Sequence, residues 1–260
     1  MDLNISGRTA LVTGGSKGIG LAVAKCLAAE GCHLHLASRG EDALETARDE
    51  IMRNYQVSVT THALDLSKSE AQQELIGRVG DIDILVNNAG AIPGGSLDAV
   101  DEARWREAWD LKLFGYINIC RRVHAAMASR GHGVIVNVIG LAGERFDANY
   151  IAGSTANAGL MAFTRALGGA SLDNGVRVVG VNPGLVETER MVTLMRTRAE
   201  SELGNPDRWP ELTKNLPLGR AARPEEVADL VTFLASERAS YITGVIYTIE
   251  GGVAARTSII

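Results

Sequence analysis

The chain is poor in cysteine, with Cys26, Cys32 and Cys120 in 260 residues. Their odd count and spacing exclude a disulfide framework and a thiolate metal site, and leave three reduced thiols. Excess basic charge is also missing. The formal net charge is −5, so neither nucleic acid nor an anionic membrane is an expected partner. No apolar run is long enough to cross a bilayer. The first residues, Met1–Gly7, carry an early acid and no signal-peptide core, so the expected location is cytoplasmic. His33, His35, His62, His124 and His132 lack ligand spacing with cysteines or carboxylates, so metal catalysis is not expected. His33 and His35 alternate on one strand, and packing or edge exposure accounts for them. No Gly-x-Ser-x-Gly elbow supports a serine nucleophile. Internal repeats, low-complexity tracts and Pro/Gly-rich linkers are all missing.

What is present is apolar material in short, regular bursts. The chain is 46% hydrophobic, enough for one sizeable core, and is expected to form a single domain over residues 1–260. Runs rich in Val, Ile and Leu recur at Thr9–Thr13, His33–Ala37, Ser58–Ala63, Ile82–Asn87, Val134–Ile139, Arg177–Val181 and Val245–Ile249. Such runs suit strands buried on both faces. Segments of helical period lie between them, at Ile19–Glu30, Glu41–Tyr55, Ser69–Val79, Ala103–Ser129, Asn157–Gly169 and Pro224–Ala235. The alternation predicts βαβ units: a Rossmann-type, doubly wound α/β fold with a seven-stranded parallel sheet and helices on both faces. The stretch Thr188–Leu216 breaks the rhythm. It is polar, of mixed charge, holds Pro206 and Pro210, and reads as a substrate lid.

The loop Thr13-Gly14-Gly15-Ser16-Lys17-Gly18-Ile19-Gly20 joins the first strand to the first helix. Its glycines let backbone N–H groups approach a pyrophosphate at a helix N-terminus. The spacing is Gly-x-x-x-Gly-x-Gly. With Asn87-Asn88-Ala89-Gly90, Asp65-Leu66, Asn182-Pro183-Gly184-Leu185-Val186-Glu187-Thr188, and Ile242-Thr243-Gly244 with Glu250-Gly251-Gly252, the chain resembles the short-chain dehydrogenase/reductase family from about Leu3 to Gly252. The resemblance implies a nicotinamide dinucleotide. Gly14, Ser16, Gly18 and Ile19 would line its phosphates and ribose, and Asp65 and Leu66 the adenine. Asn88, Ala89 and Gly90 would meet the ribose, and Pro183, Gly184, Val186 and Thr188 the nicotinamide amide. Gly20 reads equally as packing. Where an acid after the second strand would select NAD, this chain has Ser38-Arg39, with Lys17 in the loop. Two cations and a hydroxyl suit a 2′-phosphate, so NADP(H) is expected ahead of NAD(H).

The family's chemistry rests on an Asn, a Ser, a Tyr and a Lys, a phenol tuned by a nearby cation. Aligned without a gap on Val134–Val138 and Ala162–Leu167, this chain has Gly140 at the Ser and Gly153 at the Tyr, and Asn157, facing the ribose, at the Lys. On the long helix Lys112 stands where the Asn belongs. A rival alignment keeps Tyr150 as the Tyr, needs a shift of three residues and leaves Ser154 at the Lys. In the first alignment Tyr150 has room to bend into the space Gly153 vacates.

Three readings stay open at this level. The first is an NADP(H)-dependent oxidoreductase of small carbonyls or alcohols in which Lys112, or second Tyr150, handles the proton. The second is a lyase, isomerase or hydrolase on the same fold, with Glu144, Arg145 and Asp147 near its pocket. The third is a non-catalytic nucleotide sensor. A small-molecule substrate is expected, bounded by Leu141, Phe146, Met191, Leu194 and Met195, with Arg145 or Arg190 as an anion contact. The family's habit of pairing long helices implies a homotetramer or homodimer.

Overall fold

The computed structural model describes residues 2–256; the ends of the expected 1–260 domain, Met1 and residues 257–260, lie outside them. Seven strands, β1 (Thr9–Thr13), β2 (His33–Ser38), β3 (Val59–Ala63), β4 (Ile84–Asn87), β5 (Gly133–Val138), β6 (Val176–Pro183) and β7 (Ile246–Ile249), form one sheet in the order β3-β2-β1-β4-β5-β6-β7. Every neighbouring pair is parallel. The order reverses between β1 and β4. The carboxyl ends of these two strands open a crevice there, the usual ligand position of a doubly wound sheet.

The period of two along each strand divides the core. Val12, Leu34, Leu36, Val86 and Val136 face one layer, which includes α1 (Gly18–Ala29) and α8 (Pro224–Ala235). Leu11, Leu85, Ile135 and Val178 face the other, which includes α3 (Ser69–Val79) and α5 (Gly115–Arg130). β4 and β6 are buried along their whole length, whereas the edge strand β7 exposes Tyr247. The buried guanidinium of Arg177 donates to the carbonyls of Leu234 and Ser236 at the end of α8, at 2.8 and 2.9 Å. It thereby satisfies acceptors that a helix terminus leaves open.

Three elements differ from their sequence expectation. The helical period over Ala103–Ser129 is two helices, α4 (Glu102–Trp109) and α5, joined by a π turn at Asp110–Phe114. A π turn adds a residue to the helix and re-aims the side chains it carries; Lys112 is its middle residue. The helix α6 runs over Ile151–Ser171, starting well before the expected Asn157, because Gly153 and Ser154 are tolerated where the helix packs closely. The polar excursion holds α7 (Glu189–Leu203), whose first turn is capped by the Thr188 hydroxyl accepting from Met191 N at 3.2 Å. A 3₁₀ segment, Pro206–Thr213, follows it. Met191 and Met195 are buried between these pieces, and supply the apolar face that the overall polarity of the stretch conceals. The remaining helix, α2 (Glu41–Asn54), matches its expectation within a residue.

Candidate functional site

The glycine loop is held from below by side chains of the first and fourth strands. The Thr13 hydroxyl accepts from Asn88 N and Ala89 N at 3.0 and 3.1 Å. The Asn88 amide donates to the carbonyls of Thr13 and Gly14, both at 3.2 Å. Gly20 is obligatory in this packing: a Cβ there would stand 2.1 Å from the Gly14 carbonyl oxygen and 2.5 Å from Asn88 Nδ2. The N-cap of α1, Lys17, supplies no side-chain acceptor, so no cap occupies the first N–H groups of the helix, where an anion would be favoured.

At the end of β2 the buried hydroxyl of Ser38 has no hydrogen-bond partner in the protein. A buried hydroxyl without a partner is costly, and a ligand hydroxyl or phosphate oxygen beside it removes the cost. Arg39 next to it is exposed. Lys17, which the sequence reading gives to a 2′-phosphate, is exposed and ion-paired. Its ammonium pairs with Glu189 at 2.6 Å, holding the glycine loop to the first turn of α7. Asp65 points back into its own turn, accepting from Ser67 N and Oγ at 3.1 and 2.9 Å. Leu66 is buried, and its carbonyl accepts from Gln72.

The cleft beyond Gly90 is built on the carboxyl end of β5. Three successive carbonyls there accept from three side chains. Tyr116 Oη donates to Val138 at 3.0 Å, Lys112 Nζ to Ile139 at 2.5 Å, and Asn157 Nδ2 to Gly140 at 3.4 Å. Gly140 itself has φ +132°, a backbone that a residue with a side chain adopts only under strain, and its N–H donates to Asn182. The other oxygen-bearing atom of this group, Asn157 Oδ1, is buried without a partner. The aliphatic stem of Lys112 crosses Gly90 so closely that a Cβ there would lie 2.9 Å from its Cδ. Burial, reinforced by the Arg190 guanidinium, brings the Lys112 ammonium down from 10.5 to about 7. Among the described residues no carboxylate lies within ion-pair distance of Lys112 or Arg190.

Tyr150 immediately precedes α6, and its ring fills the volume a side chain on Gly153 would need. A Cβ at Gly153 would sit 1.9 Å from Tyr150 Cε1. Tyr150 packs against the buried cluster of Ile92, Ala108, Ala152 and Ala156. Burial raises the Tyr116 phenol well above its ordinary range, and that hydroxyl stays protonated at neutral pH. Above the cleft, Gly184 lies against Glu250 and donates to Ile249 O at 2.9 Å. Pro183 ends β6, Val186 is buried beneath the same turn, and Thr188 reaches Gly18. A cavity of about 480 Å³ lies between α7 and the 3₁₀ segment, lined by Thr188, Met191, Val192, Trp209, Thr213 and Arg220.

Sequence reasoning assigned no role of their own to Thr13, Tyr116, Asn182 and Glu189. Tyr116 lies one helical turn after Lys112, the spacing that puts both on one face, and that signal was available. The partners of the other three come from distant segments, and no local pattern announces them.

A sheet of this order, with this loop at its switch point, defines a dinucleotide-binding α/β protein. Residues 14–254 match the family model described as enoyl-(acyl carrier protein) reductase. The chain belongs to the short-chain dehydrogenase/reductase family. It is 34% identical over 254 residues to 3-oxoacyl-(acyl-carrier-protein) reductase of Chlamydia muridarum, covering 95% of this chain and 97% of that one. It is likewise 34% identical over 253 residues to galactitol 2-dehydrogenase (L-tagatose-forming) of Cereibacter sphaeroides, covering 95% of each. Among solved structures, L-sorbose reductase from Gluconobacter frateurii, complexed with NADPH and L-sorbose, superimposes with a TM-score of 0.90 at 30% identity, covering 99% of this chain and all of that one. These relatives are oxidoreductases. No helix of the described residues is long and apolar enough to cross a membrane, and no cluster among them has the composition of a metal site.

Proposed function

We propose that this chain is an NADP(H)-dependent oxidoreductase of small carbonyl or alcohol substrates in which Lys112 carries the proton. In this reading the family's catalytic positions are occupied by Lys112, Gly140, Gly153 and Asn157, and the whole of 1–260 is one cytoplasmic domain working as a homotetramer or homodimer. The observation that carries it is the Lys112 ammonium. It sits over Gly90 and on the Ile139 carbonyl, and burial and Arg190 bring it to about 7. A group tuned near the working pH is the most effective acid–base catalyst.

The dinucleotide supplies or accepts the hydride. Gly14, Ser16, Gly18 and Ile19 hold its phosphates, Asp65 and Leu66 its adenine, and Asn88, Ala89, Gly90 and Asn157 its ribose. Pro183, Gly184, Val186 and Thr188 hold its amide. The Arg39 guanidinium beside Ser38 favours a 2′-phosphate over a bare hydroxyl, as does the bound NADPH of the sorbose reductase neighbour. Lys17 joins this set when its bond to Glu189 opens. During reduction a Lys112 N–H gives its proton to the substrate oxygen as that oxygen gains charge; during oxidation the neutral amine takes the proton back. The remaining N–H bond to Ile139 keeps the amine oriented in both directions. Tyr150, folded over Gly153, closes the side of the same cleft and is the second candidate for the proton.

The test is titration with NADPH, NADP⁺, NADH and NAD⁺, followed by fluorescence, then a carbonyl and alcohol screen at several pH values. NADP(H) should bind more tightly, reduction should fall above about pH 7, and oxidation should rise. Arg39→Asp should weaken NADP(H) far more than NAD(H). An unchanged preference would sink the 2′-phosphate argument.

A further inference from the structure

Two cations reach the ends of adjacent strands from opposite sides of the cleft. Lys112 comes from the π turn onto the Ile139 carbonyl, just beyond β5. Arg190 comes from the first turn of α7 onto the Ile92 carbonyl, beyond β4. β4 and β5 are neighbours in the sheet, and the Arg190 charge is near enough to bear on Lys112. Each cation satisfies only a neutral backbone oxygen. Lys112 has three donors and Arg190 five, so most of their hydrogen-bonding capacity is unused at these contacts. On α7, Glu189 holds Lys17 and Glu202 holds Arg198. Asp147, on the loop before α6, also holds Arg198, at 3.3 Å.

Two like charges in a half-buried cleft repel each other, and the repulsion reinforces the depressed protonation of Lys112. An arrangement of this kind is relieved by an anion between the charges. We infer that the substrate carries a carboxylate as well as its carbonyl or hydroxyl, with Arg190 pairing the carboxylate and the reacting oxygen lying against Lys112. This rests on the oxidoreductase reading for the reacting oxygen, but the anion site stands on Arg190 and Lys112 alone. Arg190 suits a carboxylate better than a lysine would, because its planar fork makes two parallel bonds.

The probe is malonate, with malonamide as its uncharged counterpart, titrated calorimetrically at constant ionic strength into the full chain saturated with NADP⁺. Malonate should bind at least about tenfold more tightly than malonamide. Arg190→Gln keeps a donor for the Ile92 carbonyl but loses the charge. It should lower malonate affinity by about tenfold or more and leave NADP⁺ affinity unchanged. Arg190→Lys should recover part of the loss. Equal binding of malonate and malonamide, no malonate binding, or undiminished binding to Arg190→Gln would each overturn the inference. If NADP⁺ fails to bind, the cofactor reading is lost, and the same titration on the unliganded chain still decides the anion site. If neutral carbonyls turn over with NADPH while malonate does not bind, the oxidoreductase reading stands and the carboxylate is refuted.

Discussion

Replacing Lys112 by Met should make the protein more stable at neutral pH, and the gain should shrink as the pH rises. The folded chain holds this amine at about 7, against an ordinary 10.5 in an exposed chain. Below pH 10.5 the unfolded chain takes up a proton that the folded chain refuses, so the wild type loses stability steadily as pH falls toward 7 and no further below it. At about 1.4 kcal/mol per unit, the full displacement costs roughly 4 kcal/mol at pH 7 and about 1 kcal/mol at pH 9.5. Lys112 keeps some contact with solvent, which reduces the difference between the two pH values to about 1.5–3 kcal/mol. Methionine preserves the apolar stem over Gly90 and leaves only the Ile139 carbonyl without its bond, a loss of about 1 kcal/mol. Urea unfolding of both proteins at pH 7.0, 8.0, 9.0 and 9.5 measures the difference directly. Subtracting the variant removes the other titrating groups, including Cys26, Cys32 and Cys120, whose thiols burial pushes up to about 11, 12 and 12. A wild type-to-variant difference that is flat with pH would show that Lys112 is an ordinary ammonium, and the proton-carrying role would go with it.

Two other perturbations test the frame around the cleft. Gly20→Ala places a methyl group 2.1 Å from the Gly14 carbonyl oxygen. It should cost about 1–3 kcal/mol of stability and weaken nucleotide binding at the same time, measured by thermal unfolding with and without NADPH. His62, stacked on His35 with Nδ1···Nε2 at 2.9 Å, is pushed by burial and by the His35 and Arg78 charges from 6.5 down to about 4. The unfolded chain binds this proton first, so stability should fall by about 1.4 kcal/mol per unit between pH 6.5 and 4. His62→Gln should remove that part of the slope; an identical acid limb in the variant would exclude the histidine pair as its source.

The fold was legible because its signals are local. Seven apolar runs separated by helical periods mark a parallel sheet whose central strands are buried on both sides, and each observed strand overlaps its run. The glycine loop was equally readable, since the need for a helix N-terminus and close backbone approach is written in contiguous residues. The lid was harder. Its helix was hidden by polar residues, because one turn of apolar side chains in every two suffices to dock an amphipathic helix, and Met191 and Met195 are few among charges.

By itself, the sequence determined which side chains are available, Lys112, Gly140, Gly153 and Asn157 among them. Tertiary structure decided what those residues can do. A π turn, invisible in the apolar period, aims Lys112 at the Ile139 carbonyl. Tyr150 folds into the space over Gly153, and Arg190 arrives from a helix that sequence places far from Lys112. Lys17, which reads as a free cation, is taken by Glu189. The reason is physical. A residue's identity fixes its charge and its donors, but its proton affinity is set by the water it loses and the charges it faces, and both are properties of the folded assembly of distant segments.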